Sequence, residues 1–326
     1  MLPIIDLHCD LLYYLAQDPR RSPFDLPPRC SYPQLKAGNV KLQVLAIYTE
    51  TFPGSQHQGW KQVERFDQLL TQYADQFSYF EGGFSEQVQI LPAIENGSCF
   101  CGEEESLNAG LRRLEQLIQK IGKPLYIGLT WNGENRFGGG FGSKAGLKSD
   151  GLELLKWLDQ KQIAIDFSHA SDRLCDELFN AIDKYSLKLP VLASHCNFRT
   201  IMDHGRNLTD PIAKEIFKRK GVAGIVFYKK FIHPTDYKVV LKHIEHGLKL
   251  GGAEALCFGA DFFCVDDPFY APINIAGFFD ELSDSSKYPH LIELMQKQFS
   301  EEQIKKIASE NYMAFHESAI VSRSSK

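Results

Sequence analysis

Short apolar runs recur along this chain, and most are followed by stretches in which apolar residues return every three or four positions. The first run, residues 3–7, begins almost at the first residue and ends at His8. Further runs lie at 40–48, 88–94, 125–130, 163–167, 189–193, 222–228 and 255–259. Each is short enough for a buried strand and is bounded by polar or glycine-containing segments. Between them, Leu107, Leu111, Leu114, Ile118 and Ile121 mark a helix with one apolar face, and Gly122 fits its C-terminal stop. The same spacing predicts helices over 63–73, around Leu152 to Leu158, and over 172–185, 211–219 and 239–250. The tail holds an apolar stretch at 278–282, a helix near 290–298 and another after Ser300, where Glu301 and Glu302 favour the first turn. Residues 18–30, rich in Pro and Arg, read as a loop, and residues 131–140 as a glycine-rich one.

Eight apolar runs separated mostly by helices predict an α/β fold, a (β/α)8 TIM-type barrel, with residues 1–326 as one domain. A doubly wound open sheet is the alternative. No G-x-G-x-x-G or Walker sequence follows any run to support it.

Composition changes this picture little. With 44% hydrophobic and 24% charged residues over 326 positions, the chain has ordinary globular make-up. A net charge of -5 with dispersed basic residues argues against nucleic acid or an anionic membrane as partner. No run is long and apolar enough to span a bilayer, and the start does not resemble an export signal. The polar C-terminal segment 316–326 lacks a lipid-anchor tail. Of eight cysteines only Cys99 and Cys101 are close together, and C-x-C is not a zinc-knuckle spacing. Reduced, buried thiols in a cytoplasmic protein are expected.

The candidate chemistry is positional. His8, Asp10, Glu95, His169, His195 and Asp261 all fall at or just past the C-terminal ends of predicted strands. In a barrel those ends form one rim, where active sites sit. His8 and Asp10, two apart in an extended segment, share a face from which Cys9 points away. Three imidazoles with carboxylates suit one or two borderline-hard divalent ions, zinc first. Two ions need a bridging group, and Glu95 is the natural candidate. Taken singly, each residue has a plainer explanation. Glu95 before Asn96-Gly97 fits a turn, His169 and His195 fit core histidines, and Asp261 fits a helix cap. Those explanations leave their shared rim unexplained. His243 and His246, three apart on a predicted helix, read as a solvated face.

The set of motifs resembles the membrane (renal) dipeptidase family of the metal-dependent amidohydrolase superfamily. The matching segments are Asp6-Leu7-His8-Cys9-Asp10-Leu11, Ile94-Glu95-Asn96-Gly97, residues 126–132, Asp166-Phe167-Ser168-His169-Ala170-Ser171-Asp172 and Ala193-Ser194-His195. Arg206-Asn207-Leu208-Thr209-Asp210 and Gly259-Ala260-Asp261-Phe262 complete them, in family order over nearly the whole chain. The resemblance implies a barrel with two Zn2+, other divalent metals being alternatives. His8 and Asp10 would hold one ion, His169 and His195 the other, and Glu95 would bridge. Asp261 would relay the proton of the bridging water. Arg206, which sequence alone places on a surface loop, would hold the substrate carboxylate or the tetrahedral oxyanion. The expected reaction is hydrolysis of a small dipeptide, with a C-terminal D-residue tolerated, by a hydroxide activated between two metals. A homodimer is the expectation the family brings. One position departs from the pattern. Better-known members carry a substrate-contacting histidine near the end of the fourth strand, and Trp131 stands here, followed by Asn132. Asn132 or the glycine-rich loop is expected to take over its contacts with substrate. The departure leaves room for a related amidohydrolase acting on another amide or lactone. A metal-binding protein without catalysis is the third reading.

Overall fold

In the computed structural model, which describes residues 1–267 and 277–321, nine parallel strands carry the chain. They are β1 (Ile4–Cys9), β2 (Val40–Ile47), β3 (Phe77–Tyr79), β4 (Val88–Ile94), β5 (Tyr126–Gly128), β6 (Ala164–Asp166), β7 (Val191–Ala193), β8 (Val222–Ile225) and β9 (Leu256–Phe258). β1 pairs with both β2 and β9, β2 pairs with β4, and the rest follow in order. Eight strands therefore close into the expected barrel. The eight predicted runs are those eight strands. β3 is additional: it lies outside the ring and pairs only along the first half of β4, Phe77 opposite Val88 and Tyr79 opposite Ile90.

Periodicity located most helices, with differences at the ends. The helix expected over 63–73 begins earlier, as Ser55–Thr71, because its first turns are polar and carry no apolar repeat. Residues 77–79, for which the sequence predicted no strand, are β3. The segment Leu11–Gln17 is a helix that the sequence did not single out, since its near-continuous apolar stretch lacks a polar face. Its first five residues are all buried. Leu107–Ile121 stops at Gly122, whose φ of 84° suits glycine. The apolar stretch near 278–282 closes with a 3-10 turn, Asp280–Leu282. After the capping box of Ser300 with Gln303, Glu301–Lys305 and Asn311–Phe315 are α-helical and joined by a π-helical turn, Lys306–Glu310. Of the polar C-terminal segment, residues 322–326 lie outside the described residues. Among the described residues, no helix is long and apolar enough to cross a membrane.

Two apolar layers position the rim. One fills the space between strands and helices. The other fills the barrel interior with Ile5, Leu7, Val44, Ala93, Tyr126, Leu192 and Cys257, closed by Tyr312 and Phe315. Ile5 and Leu7 face inward, so strict alternation would send His8 outward. The register of β1 on β2 slips between Asp6 and Cys9. A bulge of this kind re-aims the residues beyond it: His8 and Asp10 turn to the barrel mouth while Cys9 joins the outer layer. At the far side, a Cβ on Gly259 or Gly224 would run into the Ser194 carbonyl. Glycine there lets β7, β8 and β9 converge.

Candidate metal centre and active site

All six rim residues meet at the mouth of the barrel. His8 Nε2 lies 3.8 Å from Asp10 Oδ1, 3.8 Å from Glu95 Oε2 and 3.6 Å from Asp261 Oδ1. His169 Nε2 is 2.7 Å from Glu95 Oε1 and 2.9 Å from His195 Nε2, and His195 Nε2 is 3.7 Å from the same Glu95 oxygen. Glu95 thus turns one oxygen to His8 and the other to His169 and His195. Two sets of ligand atoms draw close enough to hold an ion, His8/Glu95/His195 and His8/Asp10/Asp261. His8 is common to both, and Asp261 joins the second set as a potential ligand. The division expected from the resemblance kept His8 on one side and gave Asp261 only a proton-relay role.

The backbone is bent to achieve this. His169 and Asp261 have φ of 64° and 63°, in the left-handed region. A non-glycine residue there costs on the order of 1–3 kcal/mol and is held by its surroundings. Asp261 N donates to His8 O, tying the two strand ends together, and Phe141 N donates to His169 O from the glycine-rich loop.

Each histidine is oriented from behind. His8 Nδ1 lies 2.7 Å from the Tyr126 hydroxyl, which itself donates to Leu7 O. That hydroxyl must then accept from His8, which puts the ring proton on Nδ1. His195 Nδ1 lies 2.8 Å from Ser194 Oγ, whose own proton goes to Asp166 Oδ2 at 2.5 Å. His169 Nδ1 donates to Asn132 Oδ1 at 2.9 Å. Hydrogen-bond partners decide tautomers in this way, and here all three leave the Nε2 lone pair facing the site. Asn132, expected at the substrate, sits on the cavity wall and also orients a ligand.

Metal ions fit this arrangement. His8 Nε2, Asp10 Oδ1 and Glu95 Oε2 are buried with no hydrogen-bond partner among the described residues. Buried polar atoms are rarely left so. The Nε2 lone pairs of His169 and His195 face each other at 2.9 Å, which a shared cation relieves. Burial, together with the Arg206 guanidinium, holds His8 down to about 3. Burial likewise keeps His169 and His195 well below the usual imidazole range. Burial lifts Asp10 to about 7. It also raises Glu95 and Asp261, and Asp10 nearby raises both further. Neutral imidazoles are the form that ligates a divalent ion, and the charge of such an ion would return the carboxylates beside them to the ionised form.

The site opens into a cavity of about 240 Å³. Trp131 and Tyr48 line it with their rings tilted against each other, centroids 5.1 Å apart, and Trp131 lies 6.0 Å from the His169 ring. Phe231, Tyr228, His204 and Arg206 line it as well. Arg206 is not the surface residue its loop suggested: it is 4% exposed, and its Nε and Nη2 have no partner among the described residues. The loop is pulled in by Asn207, which donates to Met202 O and Phe231 O. Asp6, Asp166, Ser194 and Tyr126 lie within the matched motifs, but sequence alone assigns them no role. Asp6 and Asp166 carried one available signal, a carboxylate two or three residues before a rim histidine.

The chain has relatives both in sequence and among solved structures. A region of 264 residues is 26% identical to an uncharacterised protein of the pqqA 5' region of Klebsiella pneumoniae, covering 73% of this chain and 86% of that one. A 179-residue region is 31% identical to an uncharacterised dipeptidase of Schizosaccharomyces pombe, covering 51% of this chain but only 39% of that protein. A 135-residue match to an Acinetobacter calcoaceticus protein, at 34% identity, likewise spans 37% of this chain and 41% of its relative. Among solved structures, a metallopeptidase of Rhodobacter sphaeroides, liganded with a phosphinate mimic of L-Ala-D-Ala, superposes with a TM-score of 0.81 at 18% identity. The match covers 98% of this chain and 99% of that one. A probable dipeptidase of Pseudomonas aeruginosa, PvdM, gives 0.75 at 16% identity, over 96% and 94%. At these identities the superpositions speak for the barrel. The membrane dipeptidase model, peptidase family M19, matches residues 1–324, and the chain belongs to that family.

Proposed function

We propose that this chain is a metal-dependent dipeptidase that holds two divalent ions, zinc first among them, between His8, Asp10, Glu95, His169 and His195. The observation that carries the reading is Glu95. Its two oxygens face two separate groups of ligand atoms, and Oε2 is buried without a partner among the described residues. Ions held there would polarise the scissile carbonyl and make water acidic enough to attack at neutral pH. The chain's own groups supply the rest. Asp261, with Oδ1 turned to the His8 side, accepts the proton of the attacking water and passes it to the leaving amine. Arg206 offers Nε and Nη2, unpaired among the described residues, to the substrate carboxylate, a geometry suited to two-point binding. Trp131 and Tyr48 line the cavity as well. The eight cysteines, all free and buried, suit the reducing cytoplasm. Tolerance of a C-terminal D-residue draws support from the L-Ala-D-Ala mimic bound by the Rhodobacter sphaeroides relative.

The test is hydrolysis of a panel of L,L- and L,D-dipeptides by zinc-loaded protein beside a chelated sample. Cleavage that disappears on chelation is expected. Equal cleavage in both samples, or none in either, overturns the reading. Trp131 gives a second reading its footing, another amide or a lactone as substrate. Arg206→Ala separates the two: a loss of at least tenfold in kcat/KM is expected for a carboxylate-bearing dipeptide, and unchanged turnover favours the second reading.

A further inference from the structure

The cavity carries more positive charge than a simple dipeptide can answer. Its acidic lining is Asp10, Glu95 and Asp261, all turned to the ligand cluster. Two fixed cations also line it, Arg206 and Lys230. Among the described residues the Arg206 guanidinium makes one hydrogen bond, from Nη1 to the Cys196 sulfur at 3.7 Å, and its Nε and Nη2 are buried and unpaired. Lys230 is exposed at the mouth and has no ion pair among the described residues. The stretch 268–276 contains no Asp or Glu that could provide one.

The two cations share a wall. Arg206 Cζ lies 5.4 Å from the Phe231 ring, and Lys230 directly precedes Phe231. Phe231 is fixed by Tyr228, ring centroids 5.0 Å apart, and by His204, at 4.8 Å. His204 is half-buried, and burial, with Arg206 and Lys230 nearby, keeps it below the usual imidazole range. It adds a polar neutral ring between two charges. Arg206 is buried and lines the same cavity as Asp10, Glu95 and His169, so it sits deep, within reach of the reacting end of a substrate. Lys230 sits further out on the same side.

Charge balance then selects the substrate. Two divalent ions would be answered by the three carboxylates together with the attacking hydroxide, which leaves Arg206 and Lys230 to the substrate. A dipeptide with neutral side chains is a zwitterion, with one carboxylate for Arg206 and nothing for Lys230. We infer that the preferred substrate is a dipeptide whose C-terminal residue bears a second carboxylate, its α-carboxylate on Arg206 and its side-chain carboxylate on Lys230. Trp131 and Tyr48, which also line the cavity, are left to the N-terminal side chain. This inference rests on the dipeptidase reading above and narrows it.

The experiment measures kcat/KM of the zinc-loaded protein on dipeptides sharing one N-terminal residue and ending in Ala, Asn, Asp, Glu or Lys, each as the L- and the D-isomer. Lys230→Met and Lys230→Glu are measured alongside. The wild type is expected to favour Asp or Glu over Asn or Ala by roughly tenfold, carried mainly by KM. Lys230→Met should collapse that ratio, and Lys230→Glu should turn the preference toward Lys. A wild type indifferent to the acidic group, or a ratio that survives in both variants, overturns the inference and leaves the dipeptidase reading standing. Cleavage of no dipeptide at all overturns both.

Discussion

Two tiers of buried carboxylates lie one above the other at the barrel mouth, and they are built to opposite rules. In the lower tier, Asp6 Oδ1 accepts from His8 N and Ala260 N at 3.1 Å each, and Oδ2 accepts from the Tyr288 hydroxyl at 2.6 Å. Asp166 repeats the scheme. Its Oδ1 accepts from Ser168 N and Ser194 N at 3.0 and 2.9 Å, and its Oδ2 from Ser194 Oγ. Each lower carboxylate therefore ties two strand ends, Asp6 joining β1 to β9 and Asp166 joining β6 to β7. Each of those ends carries a rim residue. In the upper tier, Asp10 Oδ1 and Glu95 Oε2 are equally buried and bonded to nothing described. Burial is common to both tiers, so burial alone does not mark function. The distinguishing feature is a polar atom that has been taken out of water without a replacement partner.

The comparison breaks most visibly if an upper carboxylate turns out to be dispensable. Glu95→Gln keeps the shape and removes the charge that faces both ligand groups. Loss of activity by 10⁴-fold or more is expected, over about 5 kcal/mol of transition-state stabilisation. The fold should persist, judged by an unchanged circular dichroism spectrum, while bound metal measured after gel filtration falls. Retained activity would remove Glu95 from the centre of the mechanism. For the lower tier the expectation is reversed in kind. Asp166→Ala strands two backbone N–H groups and the Ser194 hydroxyl inside the protein. Unfolding of the chelated protein in urea should lose about 4 kcal/mol, at roughly 1–3 kcal/mol per orphaned donor. Asp166→Asn, which keeps an Oδ1 to accept both N–H groups, should recover most of it. An Asp166→Ala protein of normal stability would erase the distinction between the tiers.

The sequence exposed the upper tier far better than the lower. His8, Glu95, His169, His195 and Asp261 stand where apolar runs end, so barrel topology alone draws them together. Asp6 and Asp166 lie within the runs and look like interruptions of a strand. Their partners, Ala260, Tyr288 and Ser194, come from elements that only the closed barrel brings near. Arg206 was reachable only through resemblance, because the loop around it has no period. It is drawn inward by Asn207 and by the bridge between Phe198 and Leu208. His243 shows the opposite failure. Read as part of a solvated helix face, it is fully buried. Its Nδ1 accepts from Phe198 N and its Nε2 donates to Ile232 O, both at 3.2 Å. His246 beside it is only partly covered and bonds to Asp210 at 2.8 Å. Three-residue spacing put both on one face but did not show that the loop at Phe198 folds over the first.

His243 also gives the comparison a histidine control. Unlike His8, it has both ring nitrogens bonded, and burial holds it down to about 4. Its folded value lies below the unfolded value near 6.5, so the unfolded chain binds a proton that the folded chain refuses. The contribution is complete above pH 6.5 and lost as pH falls toward 4, by roughly 3 kcal/mol. Urea denaturation of chelated protein at stepped pH values should show it as a difference between wild type and His243→Gln. The variant, less stable at pH 7, should have the flatter profile between pH 6.5 and 4. Parallel profiles would mean that His243 is not held neutral by its burial.

The smallest expected effect is the sharpest probe of where the tiers meet, and it falls on Asn132. This residue lines the cavity, which suits a substrate contact, yet its Oδ1 takes the Nδ1 proton of His169. If orientation is its work, Asn132→Ala should weaken metal binding by roughly 10–100-fold, the range for losing the hydrogen-bond partner of a liganding histidine. Competition with a chromogenic chelator measures this without any turnover. Asn132→Asp, which still offers an acceptor to Nδ1, should restore most of the affinity. If Asn132 instead serves the substrate, both variants should bind metal normally and raise KM. The comparison between tiers favours the first outcome. His8 is served by Tyr126 and His195 by Ser194, and without Asn132 the proton on His169 Nδ1 would be buried with no acceptor. A normal metal affinity in Asn132→Ala would show that His169 is held in place by the bend of its own backbone, at a φ of 64°, and not by the group behind it.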